Sequence, residues 1–190
     1  MNGAFIYLIG FAGCGKLTIA KAIQKRMDCI LVDNHLINNV IFSLIDPDGK
    51  TKLPDKVWEN VRQVRSAVFD TIRNLAKLGR TFVFTNELLE GEERDSQVFA
   101  EVAALAHARN ALFVPVRLTI SPEELARRVV SPERAGQFKE IDPEASLTKA
   151  RTRQILRPQG FSPLEIDVTA TSAEEVAEQI IASVRSSQSV

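Results

Sequence analysis

The sequence predicts an α/β fold, in which a mostly parallel sheet is covered by helices on both faces. The first observation is an alternation along the chain. Short apolar segments of strand length are followed by longer segments whose apolar residues recur every three or four positions. The second is a glycine-rich loop that joins the first strand directly to the first helix. No long linker or internal repeat divides the 190 residues, so we expect a single domain over residues 1–190.

The glycine-rich loop follows an apolar strand at residues 4–9 and precedes a helix at residues 16–27. Its spacing, Gly-x-x-x-x-Gly-Lys from Gly10 to Lys16, is typical of loops whose backbone N–H groups surround a phosphate. The helix N-terminus adds a positive dipole, and Lys16 adds a charge for the β- and γ-phosphates. The sequence therefore predicts that the chain binds a nucleotide. The residues expected to contact the nucleotide here are Gly10, Ala12, Gly13, Cys14, Gly15, Lys16, Leu17 and Thr18.

The residue after Lys16 departs from this pattern. Ser or Thr is expected there because its hydroxyl binds Mg²⁺, but the sequence has Leu17, whose side chain offers no oxygen. Thr18 is one residue farther along the helix, so its side chain is rotated by about 100°. We therefore predict nucleotide binding with Mg²⁺ at an atypical metal site.

The next strand, residues 28–33, ends in the acidic Asp33, and Asn34 is expected to cap a helix over residues 35–45. A long helix follows over residues 54–78. Apolar residues spaced by three or four positions predict which side of it is buried. They are Val57, Val61, Val64, Val68, Ile72 and Leu75.

The second half of the chain continues the alternation. A strand over residues 81–85 leads into Asn86 and Glu87. The strand over residues 112–120 contains Pro115, which has no N–H donor, so we expect a bend or irregular pairing there. The other predicted elements are helices at 93–109, from Ser121 onward, at 144–156 and at 172–184, a loop at 131–143 and a strand at 164–168.

Ligands of parallel α/β sheets bind beyond the carboxyl ends of the strands. This rule selects the residues that directly follow each predicted strand. They are the loop at residues 10–16, Asp33, residues 85–87 and residues 169–172. We expect them to meet at one edge of the sheet.

The chain has 24 basic and 24 acidic residues, so its net charge gives no general attraction to nucleic acid or to an anionic membrane. The sequence shows no basic or aromatic platform for RNA, no apolar run of transmembrane length and no signal-peptide features. We therefore expect a cytoplasmic protein that binds neither nucleic acid nor a membrane. The sequence leaves the oligomeric state open.

The loop at residues 10–16, with its extra Gly13, resembles that of the small P-loop kinases: adenylate kinase, shikimate kinase, gluconate kinase and chloramphenicol phosphotransferase. Residues 124–134 look like the entry to their lid, and residues 166–176 are similar to their last strand and helix. The resemblance implies a three-layer sandwich whose five-stranded parallel sheet has the order 2-3-1-4-5, with a short lid over about residues 128–143. The acceptor motifs of shikimate kinase and adenylate kinase are absent after the third strand, so the resemblance names no acceptor.

The resemblance also implies roles for individual residues. An acid at the end of the second strand contacts the acceptor hydroxyl or a metal-bound water in these kinases, which makes Asp33 a catalytic and substrate-binding candidate. A helix cap is the alternative. Arg128 would lie against the adenine, and Arg134 would reach the phosphates as the lid closes. Lys16, Asp33 and Arg134 are thus the expected catalytic residues.

The acceptor is expected against residues 34–78. Arg62 or Arg65 could clamp a phosphate or carboxylate of the acceptor, with Arg65 preferred, and a solvated arginine face is the alternative. Asn86 could bind the substrate, and Glu87 could hold a water of the magnesium ion.

These observations favour an ATP-dependent phosphotransferase that acts on a small molecule, of which a nucleoside monophosphate kinase is one variant. A nucleotide-binding protein with little or no kinase turnover is the alternative, and Leu17 is the feature that favours it. A module that binds RNA or another protein is a third possibility, against which the neutral charge argues.

Overall fold

The computed structural model describes residues 3–48, 51, 53–131 and 141–188. Within these ranges strands and helices alternate along the chain. The strands are β1 (Ala4–Ile9), β2 (Cys29–Asp33), β3 (Thr81–Asn86), β4 (Leu112–Thr119) and β5 (Leu164–Asp167). The helices are α1 (Lys16–Gln24), α2 (Asn34–Ile45), α3 (Asp55–Asn74), α4 (Glu93–Ala108), α5 (Pro122–Val129), α6 (Pro143–Thr152) and α7 (Ala173–Gln188). None of the helices in the described part of the chain is long and apolar enough to cross a bilayer.

The strands form one parallel sheet in the order β2-β3-β1-β4-β5, which confirms the predicted topology. β1 lies at the centre, between β3 and β4, and all six of its residues are buried. A strand covered on both faces needs apolar side chains throughout, which explains the continuous apolar run in the sequence. From β1 the chain crosses to β2 on one side, and from β3 it crosses to β4 on the other. The crevice that binds ligands in such sheets therefore lies between the carboxyl ends of β1 and β3.

Helices cover both faces of the sheet. α1 and α7 pack together on one face, and α3 and α4 lie on the other. The second face is aromatic. Tyr7 stacks on Phe99 of α4 with ring centroids 5.8 Å apart, and Phe69 of α3 meets Phe84 edge-on at 6.1 Å. These buried rings fix α3 and α4 against the sheet, and with them the wall of the crevice.

Three helices end several residues earlier than predicted. α1 ends at Gln24 and α6 ends at Thr152. α3 ends at Asn74, so Leu75 lies beyond the last turn and is 77% exposed instead of belonging to the buried stripe. Periodicity records which side of a helix is apolar, but the contacts of the folded chain decide where the helix stops.

Pro115 does not distort β4, and the predicted bend is wrong. Pro115 pairs in register with Tyr7 of β1 within a continuous strand. On the other side of β4, β5 pairs only with residues 116–119. The proline therefore lies just before that ladder begins, where its missing N–H leaves no carbonyl group of β5 without a donor.

Candidate functional site

The carboxyl edge of the sheet opens into a cavity of about 1540 Å³. The loop after β1, the ends of β2 and β3, and residues of α2, α3, α4 and α5 line it. The predicted site residues among its lining are Ala12, Gly13, Cys14, Gly15, Lys16, Leu17, Thr18, Asp33, Arg65, Asn86, Glu87 and Arg128. Gly10 lies beneath the loop, where a Cβ atom would come within 2.7 Å of the Cys14 sulfur.

The loop after β1 curls back on itself through two glycines with positive φ. The φ angle is 97° at Gly13 and 101° at Gly15, the residue directly before α1. A Cβ atom at Gly13 would also come within 2.5 Å of the Val129 side chain, so glycine is required there for two reasons. This conformation brings the first N–H groups of α1 to the cavity, which is a suitable environment for a phosphate.

Lys16 lies inside the curl of the loop. Its ammonium group donates hydrogen bonds to the carbonyl oxygens of Gly10 at 2.7 Å and Phe11 at 2.8 Å. The lysine charge is thus held beside the N–H groups of the loop, and a flexible stem lets it turn toward bound phosphates.

Glu87, the predicted metal residue, contacts the loop itself. Its Oε1 accepts a hydrogen bond from the backbone N–H of Ala12 at 3.2 Å, and its Oε2 lies 3.5 Å from the Lys149 ammonium. The carboxylate therefore already occupies one N–H that an anion could use. A role in holding Mg²⁺ stays a prediction, since the metal would compete with both contacts or bind through water.

Asp33 ends β2 and is 7% exposed. It occupies the position before α2, but its side chain makes no capping hydrogen bond, and the predicted cap, Asn34, is instead the first residue of α2. Asp33 Oδ1 accepts a hydrogen bond from the Thr85 hydroxyl of β3 at 2.5 Å. No described residue donates to Oδ2, which remains able to accept a proton or a hydrogen bond from a ligand.

Asn86 is held at both ends of its amide. Its oxygen accepts a hydrogen bond from the Tyr7 hydroxyl at 3.0 Å, and its NH₂ donates to the Asn34 side-chain oxygen at 2.9 Å. Burial raises the pKa of Tyr7 far above its ordinary value, so the phenol remains a donor. Contact with a substrate stays a prediction for Asn86, whose protein contacts already orient it.

Arg128 connects the loop to the end of β5. Its guanidinium donates to the carbonyl oxygens of Val168 at 2.8 Å and Cys14 at 3.3 Å, and it pairs with Glu124 at 2.7 Å. Cys14 is fully buried, so its side chain is not accessible to a nucleotide, and the predicted contact of this residue stays a prediction. Arg128 therefore positions the loop, and its contact with adenine stays a prediction.

We expect Glu124→Gln to make the fold less sensitive to acid. Hydrogen bonds from Arg127 and Arg128 lower the pKa of Glu124 from 4.5 to about 2. A carboxyl with a lowered folded-state pKa contributes stability that is complete above its unfolded pKa and is lost as the pH falls toward the folded value. Between pH 4.5 and about 2, urea unfolding should therefore show a smaller loss of stability in the variant than in the wild type.

The matched control for this measurement is Glu178→Gln. Glu178 lies on α7, and its distance to Arg26 is 3.8 Å, with 68% of its side chain exposed. The control should keep the acid sensitivity of the wild type. If Glu124→Gln does so too, the arginines do not stabilise the Glu124 carboxylate.

Leu17 offers no side-chain oxygen to a metal ion. Leu17 is half-buried in the cavity lining and Thr18 is exposed. Among the described residues, no three His, Cys, Asp or Glu side chains are close enough to hold a metal by themselves. The available donors suit a Mg²⁺ bound chiefly by phosphates and water, with Asp33 and Glu87 as candidates to contact its waters.

The two arginines predicted to bind the acceptor differ in their surroundings. Arg65 donates to the Glu101 carboxylate of α4 at 2.8 Å, and its side chain is 14% exposed. Arg62 lines the same cavity, and no described residue pairs with its side chain. Contact between Arg65 and the acceptor stays a prediction, because Glu101 would compete with the acceptor for the Arg65 guanidinium. The third predicted cation, Arg134, lies outside the described residues, as do residues 132–140 of the predicted lid.

The cavity lining also includes residues that were not predicted as site residues, among them Arg94, Asp95 and Lys149. Asp95 accepts a hydrogen bond from the Leu89 N–H at 2.7 Å, and burial raises its pKa. In the sequence, Arg94 and Asp95 look like ordinary residues of a first helical turn. Only the packing of α4 against the crevice gives them a place in the site.

The sequence matches the family described as AAA domain over residues 5–158. No curated protein matches it. A gluconokinase from Sinorhizobium meliloti 1021 has a TM-score of 0.62 at 17% identity, covering 97% of this chain and 93% of that chain.

Two further solved structures share the fold. A shikimate kinase from Acinetobacter baumannii, in complex with shikimate, has a TM-score of 0.54 at 15% identity, covering 96% of this chain and 93% of that chain. An APS kinase from Mycobacterium tuberculosis, in complex with AMPPNP and APS, has a TM-score of 0.54 at 15% identity, covering 95% of this chain and 96% of that chain. These similarities confirm a P-loop kinase-like fold.

Proposed function

This chain belongs to the AAA domain family, and on that premise we propose that it is an ATP-dependent phosphotransferase. It transfers the γ-phosphoryl group of ATP to a hydroxyl group of a small molecule. One observation carries the proposal: a glycine loop suited to phosphate and a buried carboxylate, Asp33, line the same cavity. The cavity is large enough for a nucleotide and a small second ligand together.

The residues divide the work of phosphoryl transfer between charge and positioning. The N–H groups at the start of α1 and the Lys16 ammonium bind the phosphates and balance the negative charge that develops on them. Arg128 holds the loop in place through the Cys14 carbonyl. Asp33, oriented by Thr85, accepts the proton of the attacking hydroxyl on Oδ2. ATP would supply the phosphoryl group and leave as ADP. A Mg²⁺ ion, whose waters Asp33 and Glu87 could contact, would neutralise charge on the phosphates.

We expect Leu17→Ser to strengthen the coupling between magnesium and ATP. The wild type offers no oxygen at position 17, so ATP affinity should depend only modestly on Mg²⁺. A serine hydroxyl there should increase this dependence and raise turnover. ATP affinity measured by calorimetry across a magnesium titration compares the two proteins.

The control for this titration is Leu17→Ala, which removes the same apolar contact without adding an oxygen. Circular dichroism must first establish that both variants keep the fold, because Leu17 is half-buried. A strong magnesium dependence in the wild type would contradict the prediction and indicate that another group replaces the missing hydroxyl.

The proposed activity is tested by ADP release from ATP in the presence of a panel of hydroxyl compounds, with the product identified by mass spectrometry. The panel includes polyols, sugar acids, hydroxylated aromatic acids and nucleoside monophosphates, since a nucleoside monophosphate is the alternative acceptor within this class. A phosphorylated product that forms only with ATP supports the proposal. Hydrolysis of ATP without any such product argues against it.

The second candidate function is nucleotide binding with little or no turnover. Two observations favour it: Leu17 in place of a hydroxyl, and the Glu87 carboxylate on the N–H of Ala12. ATP binding in calorimetry, with no ADP formed under any acceptor, would select this candidate.

A further inference from the structure

The α3 side of the cavity carries a line of polar and aromatic residues that face α4. Spacings of three, four and three positions place them on one side of the helix. They are Asp55, Trp58, Arg62 and Arg65. Arg94, Val98 and Glu101, spaced by four and three, form the facing line on α4. All of these except Asp55 and Glu101 line the cavity.

The two lines on α3 and α4 together form one wall of the cavity. At each end of this wall, the two helices contact each other. At one end Arg65 donates to the Glu101 carboxylate at 2.8 Å. At the other end the Arg94 guanidinium lies 5.2 Å from the centroid of the Trp58 ring and 3.9 Å from the Asp55 carboxylate. Asp55 is 87% exposed, so water weakens its pairing with Arg94.

Arg62 lies between these two ends, and its charge is not balanced within the wall. On the α4 line, the residue between Arg94 and Glu101 is Val98, an apolar residue that lines the cavity. No described residue forms an ion pair or hydrogen bond with the Arg62 side chain. None of the carboxylates that line the cavity pairs with Arg62 among the described residues. Their contacts are with Thr85 for Asp33, Lys149 for Glu87 and the Leu89 N–H for Asp95. The wall therefore has an excess of positive charge at Arg62.

The surface next to this charge is apolar and aromatic. Trp58, which is half-buried, meets Phe42 of α2 edge-on with ring centroids 5.8 Å apart. Leu53 and Val61 line the cavity beside them. A ligand with an apolar ring can pack here while a group attached to the ring reaches Arg62.

We propose that this wall is an acceptor site for an organic anion. The acceptor is a small hydroxyl compound that carries a carboxylate or phosphate on an apolar, planar group. Arg62 binds the anion, Arg94 adds to the positive potential, and Trp58 and Phe42 contact the ring. The hydroxyl as phosphoryl acceptor rests on the proposed function, whereas the binding of the anion does not.

The chain provides a reporter for this site. Trp58 is the only tryptophan among the 190 residues, so tryptophan fluorescence reports on this wall alone. The probes are benzoate, which combines ring and anion, benzyl alcohol, which has the ring alone, and inorganic phosphate, which has the anion alone. Benzoate should produce a saturable change in fluorescence at millimolar concentrations. Benzyl alcohol and inorganic phosphate should each bind about tenfold more weakly.

Arg62→Gln is the decisive variant, and Arg73→Gln is its matched control. Arg73 lies on the same helix, is exposed and does not line the cavity, so its replacement makes the same change in net charge. We expect Arg62→Gln to raise the dissociation constant of benzoate about tenfold and Arg73→Gln to leave it unchanged. Circular dichroism and thermal unfolding establish that both variants fold.

The possible outcomes separate this inference from the proposed function. Three results would overturn the anion site. They are equal binding of benzoate and benzyl alcohol, equal binding of benzoate to Arg62→Gln and wild type, and no fluorescence change with benzoate. Phosphoryl transfer to other acceptors can persist in each of these cases. Arg62-dependent benzoate binding without phosphoryl transfer to any hydroxylated aromatic acid supports the anion site and counts against the kinase proposal.

Discussion

Replacement of Lys16 by alanine is expected to abolish phosphoryl transfer and to weaken ATP binding at least about tenfold. The ammonium lies within the curl of the loop, next to the N–H groups at the start of α1. Its loss removes the charge that can reach the β- and γ-phosphates, and neutral alanine cannot replace it. Calorimetric titration with ATP measures the change in affinity, and ADP release measures turnover.

The matched control is Lys25→Ala, at the other end of α1. Lys25 is exposed and does not line the cavity, so this variant should bind ATP as the wild type does. Lys16 also holds two loop carbonyls, and the thermal unfolding of both variants must be compared before affinities are interpreted. Unchanged ATP binding and turnover in a folded Lys16→Ala variant would contradict the assignment of the loop to phosphate.

Replacement of Asp33 by asparagine is expected to reduce turnover about a hundredfold or more and to leave ATP affinity nearly unchanged. Asparagine keeps the volume of the side chain and can still accept the hydrogen bond from Thr85. It cannot, however, take up a proton from an attacking hydroxyl. A fall in kcat without a matching change in ATP dissociation constant would therefore identify a role in the chemical step.

Asp28→Asn provides the control, at the opposite edge of the sheet from the site. Asp28 directly precedes β2, at the amino-terminal edge, and its side chain is 80% exposed and paired with Arg80. This variant should keep full turnover. Equal turnover of Asp33→Asn and the wild type would leave Asp33 with a structural role only, through its contact with Thr85.

The fold could be predicted wherever a local pattern reflects a global requirement. The apolar run of β1 indicates a strand covered on both faces, and that is its place at the centre of the sheet. Predictions failed where the outcome depends on neighbours that the pattern does not contain. Leu75 fits the apolar period of α3 but lies beyond its end, and Pro115 looks disruptive until the late start of β5 is known.

The candidate site shows the same division. The glycine spacing alone indicated the loop and the lysine, because positive φ angles and a helix N-terminus are local properties of the backbone. The position of Asp33 followed from the rule that ligands meet the carboxyl ends of parallel strands. The partners of these residues could not be predicted, since Thr85, Lys149 and Glu101 are distant in sequence from the side chains that they contact.

The sequence by itself determined that this chain forms a parallel α/β domain with a phosphate loop at the end of its first strand. Its tertiary structure decided which charges remain available at that site. Arg65 and Arg62 are equivalent in a helical pattern, but the packing of α4 pairs Arg65 with Glu101, whereas no described residue pairs with Arg62. Charge interactions act over a few ångströms in space, whatever the separation along the chain, so only the folded arrangement of helices determines which arginine can bind a ligand.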